Sequence, residues 1–227
     1  SYLGQFLKII FKFILFTFLL ILLGGMVVVY VEVQNQSVSK IYNQIRPNVI
    51  RDGGKQCLSK LSDKGINFTS LGDVQDDNCL IKNAVRIKSL PETRLSGALT
   101  LNCRTASNFI NWVDEIKAKK IVHMGTYNCR KMRGSPLMSE HSFGTAIDIA
   151  SINGSSVKKH WTEKSDRGEY IRMSARIACK YFTNSITPEH NALHHDHLHL
   201  DNGYGSTCMP AFVQRLENLA SNLYRRF

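Results

Sequence analysis

The sequence predicts an α+β domain, a small antiparallel sheet flanked by helices, set behind one N-terminal transmembrane helix. Three observations predict it. A nineteen-residue run without a charge, Phe13 to Val31, stands alone near the start of the 227-residue chain. Beyond it, stretches with helical spacing of apolar residues mix with short alternating stretches, and no regular strand–helix–strand rhythm links them. All six cysteines lie after the apolar run.

The run "FILFTFLLILLGGMVVVYV" is long enough for one helix across a hydrocarbon core of roughly 30 Å. It has no polar face, which argues against a buried soluble helix. A cleavable signal peptide has a shorter apolar region, about 7–15 residues, that ends at small residues. The following "VVVYVEVQNQ" offers no such site, so residues 1–31 read as a retained anchor. Lys8 and Lys12 on one side are nearly balanced by Lys40, Arg46 and Arg51 on the other, so charge alone does not orient it. Residues 32–56 are polar and read as a linker, which leaves 57–227 as the folded domain, long enough for its own core.

Within that domain, residues 104–119 carry apolar side chains at Ala106, Phe109, Ile110, Val113 and Ile116, a helical spacing. Residues 168–182 repeat it through Ile171, Ala175, Ala178 and Phe182. Pro210 opens a last predicted helix with its apolar face at Phe212, Val213, Leu216, Leu219, Ala220 and Leu223. All three stripes read as core. Between them, "IVHMGTY" near 121, "TAIDIAS" near 145 and "HLHLD" near 197 read as short strands.

Cys57, Cys79, Cys103, Cys129, Cys179 and Cys208 are widely spaced and none forms a CxxC pair. That pattern argues against zinc-finger or redox pairs and for three disulfides in an oxidising compartment. Six cysteines allow fifteen pairings, of which pairing between sequence neighbours is the simplest expectation. The domain is therefore placed in the periplasm, behind a single-pass inner-membrane anchor. The net charge of +11 suits solubility or attraction to an anionic membrane or cell wall. No basic helix and no interleaving of aromatic and basic residues speaks for nucleic acid.

One constellation carries chemistry. In "SEHSFGTAIDIA" a histidine and an aspartate lie seven residues apart around a glycine. Read as a strand, "AIDIA" puts Ala146, Asp148 and Ala150 on one face and Ile147 and Ile149 on the other. "HLHLD" likewise puts His197, His199 and Asp201 on one face and Leu198 and Leu200 on the other. Gly144 permits the turn that brings His141 beside Asp148. Five of the eight histidines fall between His190 and His199. A solvated loop accounts for such a cluster but not for its alternation with leucine. His141, Asp148 and one histidine of the second segment make the two-nitrogen, one-oxygen set expected of catalytic zinc. The HxHxD string from His197 to Asp201 also occurs in metallo-β-lactamase-like hydrolases, but those continue with a histidine where Asn202 stands here.

The pattern from Ser139 through His141, Gly144 and Ala146 to Asp148, followed by His197 and His199, resembles the LAS metallopeptidases. These are the lysostaphin-type enzymes, D-Ala-D-Ala carboxypeptidases and the hedgehog domain. Within that group the chain is most similar to the bacterial extensin-like C-terminal domain family, through "LNCRTASNFINW", "GTYNCR", "RIACKYF" and "HHDHLHLD" as well. The likeness runs from about Cys57 to Cys208. It implies that His141, Asp148 and His199 hold Zn2+ and that Asp196 is the catalytic base. It further implies that Arg130 steadies the substrate carbonyl and that His197 is a supporting or transition-state donor. The implied reaction is hydrolysis of an amide bond in a peptidoglycan stem or cross-link. A second expectation, of another class, is a non-hydrolytic peptidoglycan-binding or structural subunit working with other envelope proteins.

Overall fold

The structure, a computed structural model, describes residues 14–27, 55–76, 79–203 and 207–208. The chain divides into two compact units, Ser1–Ile45 and Arg46–Phe227. In the first, residues 14–27 form helix α1, whose large apolar side chains are exposed. Among the described residues no helix is long and apolar enough to cross a membrane. The remainder of the predicted anchor, the linker up to residue 54 and the helix expected from Pro210 lie outside the described residues.

The second unit is α+β, as expected. Helix α2 (Lys55–Asp63) starts two residues before the expected boundary at Cys57. It leads into a long hairpin, β1 (Asn67–Asp76) and β2 (Cys79–Ser89), which β4 (Leu99–Asn102) extends to a three-stranded antiparallel sheet in the order β1-β2-β4. This sheet was not legible as strands. β1 has almost no buried positions, and positive-φ residues at Gly72 and Asn83 interrupt the hairpin. The second sheet has the order β3-β5-β6-β9-β8, with β7 on the end of β6. Its strands are β3 (Arg94–Leu95), β5 (Lys120–Gly125), β6 (Ala146–Ile152), β7 (Ser155–Ser156), β8 (Asn184–Ile186) and β9 (Leu198–Asp201). The expected small antiparallel sheet is thus the centre of a six-stranded one, in which β3 alone pairs parallel.

The register between β6 and β9 follows from burial. Ile147 lies opposite Leu200 and Ile149 opposite Leu198, and all four are fully buried. Each such side chain contributes about 1.5–3 kcal/mol when buried. A slip of β9 by one residue would turn Leu198 and Leu200 away from the core. On the other face of the same pairing, Asp148 lies opposite His199. The hydrophobic face therefore sets which polar residues meet.

Two helices cover the core face. Helix α3 (Cys103–Glu115) starts at Asn102, whose side chain accepts from the Thr105 amide at 2.9 Å, an N-cap. Its stripe of Ala106, Phe109, Ile110 and Val113 is buried, as its spacing predicts, together with Trp112. The Trp112 indole N–H donates to the Ser174 carbonyl at 2.9 Å, on α5 (Asp166–Ala178). Helix α5 is capped by Ser165 and buries Ile171, Ala175 and Ala178. A short helix, α4 (Val157–His160), precedes it. Residues of both sheets, α2, α3 and α5 belong to one apolar cluster.

All six cysteines are paired, but two of the three bridges are not between neighbours. Cys57 joins Cys103, Cys79 joins Cys129, and only Cys179–Cys208 links successive cysteines. The first two bridges interleave because the β1–β2 hairpin carries Cys79 away from α2. Cys57 then faces the start of α3, and Cys79 faces the segment after β5. Closing loops of 46 and 50 residues restricts the unfolded chain by about 4 kcal/mol each in the chain-entropy picture. Digestion of the unreduced protein should release peptides linking Cys57 to Cys103 and Cys79 to Cys129. Recovery of a Cys57–Cys79 peptide would contradict this connectivity.

Candidate metal centre

Asp148 sits on β6, between β5 and β9, with Gly125 opposite it on one side and His199 on the other. Ala146 and Ala150 are its small neighbours on the same face. A Cβ on Gly125 would meet nothing within 4 Å, so space is open there beside the carboxylate. His141 arrives from the 3-10 turn Glu140–Phe143. Ser139 caps that turn by accepting from the His141 amide, and Gly144 ends it in the left-handed conformation at φ 64°. A Cβ on Gly144 would lie 2.8 Å from Ile81 Cγ2 and 2.9 Å from the Asn102 nitrogen, so glycine is required for space as well as for φ.

These elements bring three expected ligands together: one ligand atom each of His141, Asp148 and His199 lie within 4.8 Å of one another. The His141 Nδ1–H donates to the Thr126 carbonyl, which leaves the Nε2 lone pair facing Asp148. Nε2 is 3.2 Å from Asp148 Oδ2, yet it is buried and makes no hydrogen bond. Buried polar atoms are normally satisfied. An unsatisfied imidazole nitrogen aimed at a carboxylate is the arrangement a cation would complete. His199 Nδ1 lies 2.8 Å from Asp148 Oδ1, and its Nε2 lies 3.0 Å from Asp201 Oδ2. Two imidazoles and one carboxylate, with open space beside them, fit a zinc site that keeps a free position.

The electrostatics follow from burial and pairing. Burial alone would raise the Asp148 carboxyl. The adjacent imidazoles of His199, hydrogen-bonded to it, and of His141 outweigh it and hold the group far below the usual carboxylate range. Burial alone would depress His199, but hydrogen bonds to Asp148 and Asp201 push it up to about 9. His194, whose ring centroid is 5.6 Å from that of His199, is lowered to about 4, first by burial and then by its histidine neighbours.

Other expected residues are placed less directly. His197 Nδ1 donates to Asp196 Oδ1 at 2.8 Å, and its Nε2 is 3.6 Å from Asp148 Oδ1. It therefore stands between the carboxylates of Asp196 and Asp148. Strand β9 begins at Leu198, so Asp196 precedes it and is free of strict alternation. The Asp196 carboxyl is held below its usual range, mainly by the His197 hydrogen bond. Arg130 is not brought into the cluster: its side chain is exposed and its guanidinium donates to the Lys131 carbonyl at 3.3 Å. Its backbone is fixed, however. Ser142 Oγ accepts from the Arg130 N–H at 3.0 Å and donates to the Arg130 carbonyl at 2.8 Å. The Ser139 N–H donates to the same carbonyl at 3.0 Å. The sequence reading assigned no role to the Thr126 carbonyl, to His194 or to Asp201. For His194 and Asp201 the signal was present, in the histidine cluster and in the polar face of "HLHLD".

Residues 55–209 match the family model described as extensin-like protein C-terminus. No curated protein and no solved structure matches the chain.

Replacing Gly144 by alanine should cost roughly 2 kcal/mol or more. The left-handed conformation costs an L-residue about 1–2 kcal/mol, and the contacts with Ile81 and Asn102 add to it. Urea unfolding measures the loss. Unchanged stability would show that the turn carrying His141 does not depend on glycine.

Proposed function

The chain belongs to the extensin-like protein C-terminus family, and we propose that it is a zinc-dependent peptidase of the LAS type, anchored in the inner membrane with its domain in the periplasm. Its substrates are amide bonds of peptidoglycan stem peptides or cross-links. The single observation that carries this reading is the buried, unsatisfied His141 Nε2 facing Asp148, with His199 Nδ1 on the other oxygen of the same carboxylate.

His141 through Nε2, Asp148 through its carboxylate and His199 through Nδ1 hold the metal in this proposal. Zinc, when bound, supplies Lewis acidity, which polarises a scissile carbonyl and lets water react near neutral pH. The remaining work falls to the chain's own groups. Asp196, kept ionised by its hydrogen bond to His197, takes a proton from the attacking water and returns it to the leaving amine. His197 holds Asp196 beside the site. Arg130 steadies the carbonyl oxygen, for which its guanidinium must leave the Lys131 carbonyl while its backbone stays fastened to Ser142.

The location rests on other features. Three disulfides favour an oxidising compartment. The uncharged run from Phe13 to Val31 supplies the anchor, and a net charge of +11 suits an anionic wall. One observation favours a second reading, a wall-binding or structural subunit that does not cut: the Arg130 guanidinium is exposed and bonded to the Lys131 carbonyl.

Two experiments test these proposals. His141→Ala, Asp148→Ala and His199→Ala should each lower zinc content, whereas Asp196→Ala should keep zinc and lose about 10²–10⁴-fold in hydrolysis of purified peptidoglycan fragments. Loss of metal from Asp196→Ala would reverse the roles. Zinc binding by the wild type without any cleavage would hand the site to the second reading. For the anchor, the protein should stay in the membrane fraction through high-salt and alkaline washes. Release by either wash would remove the anchor from the proposal.

A further inference from the structure

We infer that Asp201 is a positioning residue that holds the His199 ring with Nδ1 turned toward the candidate metal position. The inference rests on the metal reading above. Asp201 is 3% exposed, and its two oxygens have separate partners. Oδ1 accepts from the Asn184 side-chain amide at 2.8 Å and from the Gly203 N–H at 2.6 Å. These bonds tie β8 and the segment after β9 to the end of β9. Oδ2 accepts from His199 Nε2 at 3.0 Å. The first oxygen anchors the carboxylate and the second holds the ring.

The consequence is a defined tautomer. Both ring nitrogens of His199 face a carboxylate, Nδ1 that of Asp148 and Nε2 that of Asp201; a cation beside Asp148 would displace the Nδ1 proton, and the Asp201 carboxylate would keep the remaining proton on Nε2. His141 is held in the complementary way, with Nδ1–H on the Thr126 carbonyl and Nε2 toward Asp148. Each imidazole thus has its outward nitrogen fastened to an oxygen and its inward nitrogen turned to the same carboxylate. Partners of this kind orient a metal-binding imidazole and raise its basicity, and removing one typically costs about 10–100-fold in metal affinity.

The same geometry supplies a discriminating variant. In Asp201→Asn the side chain keeps its shape, but only one of its ends can accept. Asn184 and Gly203 both donate to the Oδ1 position, so the amide NH2 falls opposite His199 Nε2. Two donors then face each other unless the imidazole proton moves to Nδ1, the nitrogen that should receive the metal. Asp201→Asn should therefore bind zinc about 10–100-fold more weakly in a chelator competition, while its circular dichroism stays that of the wild type. Asn184→Ala loosens the anchoring oxygen but leaves Oδ2 on His199. It should lower thermal stability and leave zinc affinity near that of the wild type. A carboxylate with only a structural role predicts the reverse, with both variants losing stability and neither losing zinc selectively.

A direct reading needs no variant. In the zinc-loaded wild type, histidine ¹⁵N spectra should place the His199 proton on Nε2, so the inference stays testable if Asp201→Asn fails to fold. A proton on Nδ1, or zinc affinity unchanged in folded Asp201→Asn, overturns the role of Asp201 alone. Absence of zinc binding by the wild type overturns the metal reading and this inference with it.

Discussion

An ionised carboxylate largely buried in the middle of a sheet must be compensated, and the rest of this site is arranged around that need. Taking a charge out of water costs several kcal/mol unless partners replace the solvent. Asp148 has two imidazole partners, one from the 3-10 turn and one from β9. Neither histidine is at its position by local preference. His199 is there because the isoleucines of β6 must face the leucines of β9. His141 is there because Gly144 lets the chain turn where a side chain would strike Ile81 and Asn102. The hydrophobic core thus sets the geometry of the polar face.

The surroundings hold that geometry from several directions. The segment from Asn128 to Arg130 is fastened to the His141 turn through Ser142 and to β2 through Cys79–Cys129. Asp201 is held by Asn184 and Gly203. Asn202 accepts from Thr105 and Asn108 on α3, which ties the end of β9 to that helix. Such cross-ties matter because a set of ligands must be held close to its working geometry before any ligand arrives. By contrast, Arg130 and Asp196 carry side chains that are exposed or partly exposed. The three clustered side chains are thus more enclosed than Arg130 and Asp196.

Much of this was legible along the chain. Alternation in "AIDIA" and "HLHLD" named Ile147, Ile149, Leu198 and Leu200 as core, and all four are buried. On the other face Asp148, Ala150 and His199 are partly exposed, but Ala146 and Asp201 are buried too. The helical stripes from Ala106 to Val113 and from Ile171 to Ala178 were placed correctly because a 3.6-residue period over a dozen residues has little competition. The β1–β2–β4 sheet was not legible, since β1 is exposed almost throughout and carries no alternation to detect. Disulfide number followed from the count of cysteines, but connectivity did not, because pairing is a matter of distance in space.

By itself the sequence determined the residue types of the site, the likeness to the extensin-like C-terminal family, the α+β class and the core-facing residues of the two strands. Periodicity and spacing are local properties, and those features are local. Only the tertiary structure decided that His141 and His199 meet on the two oxygens of one carboxylate, that Asp201 holds the outer nitrogen of His199, that the Arg130 guanidinium bonds to the Lys131 carbonyl, and that Cys57 passes Cys79 to reach Cys103. Those outcomes depend on strand register, on a left-handed turn and on the order of strands in a sheet. Each is settled by packing among segments far apart in the chain.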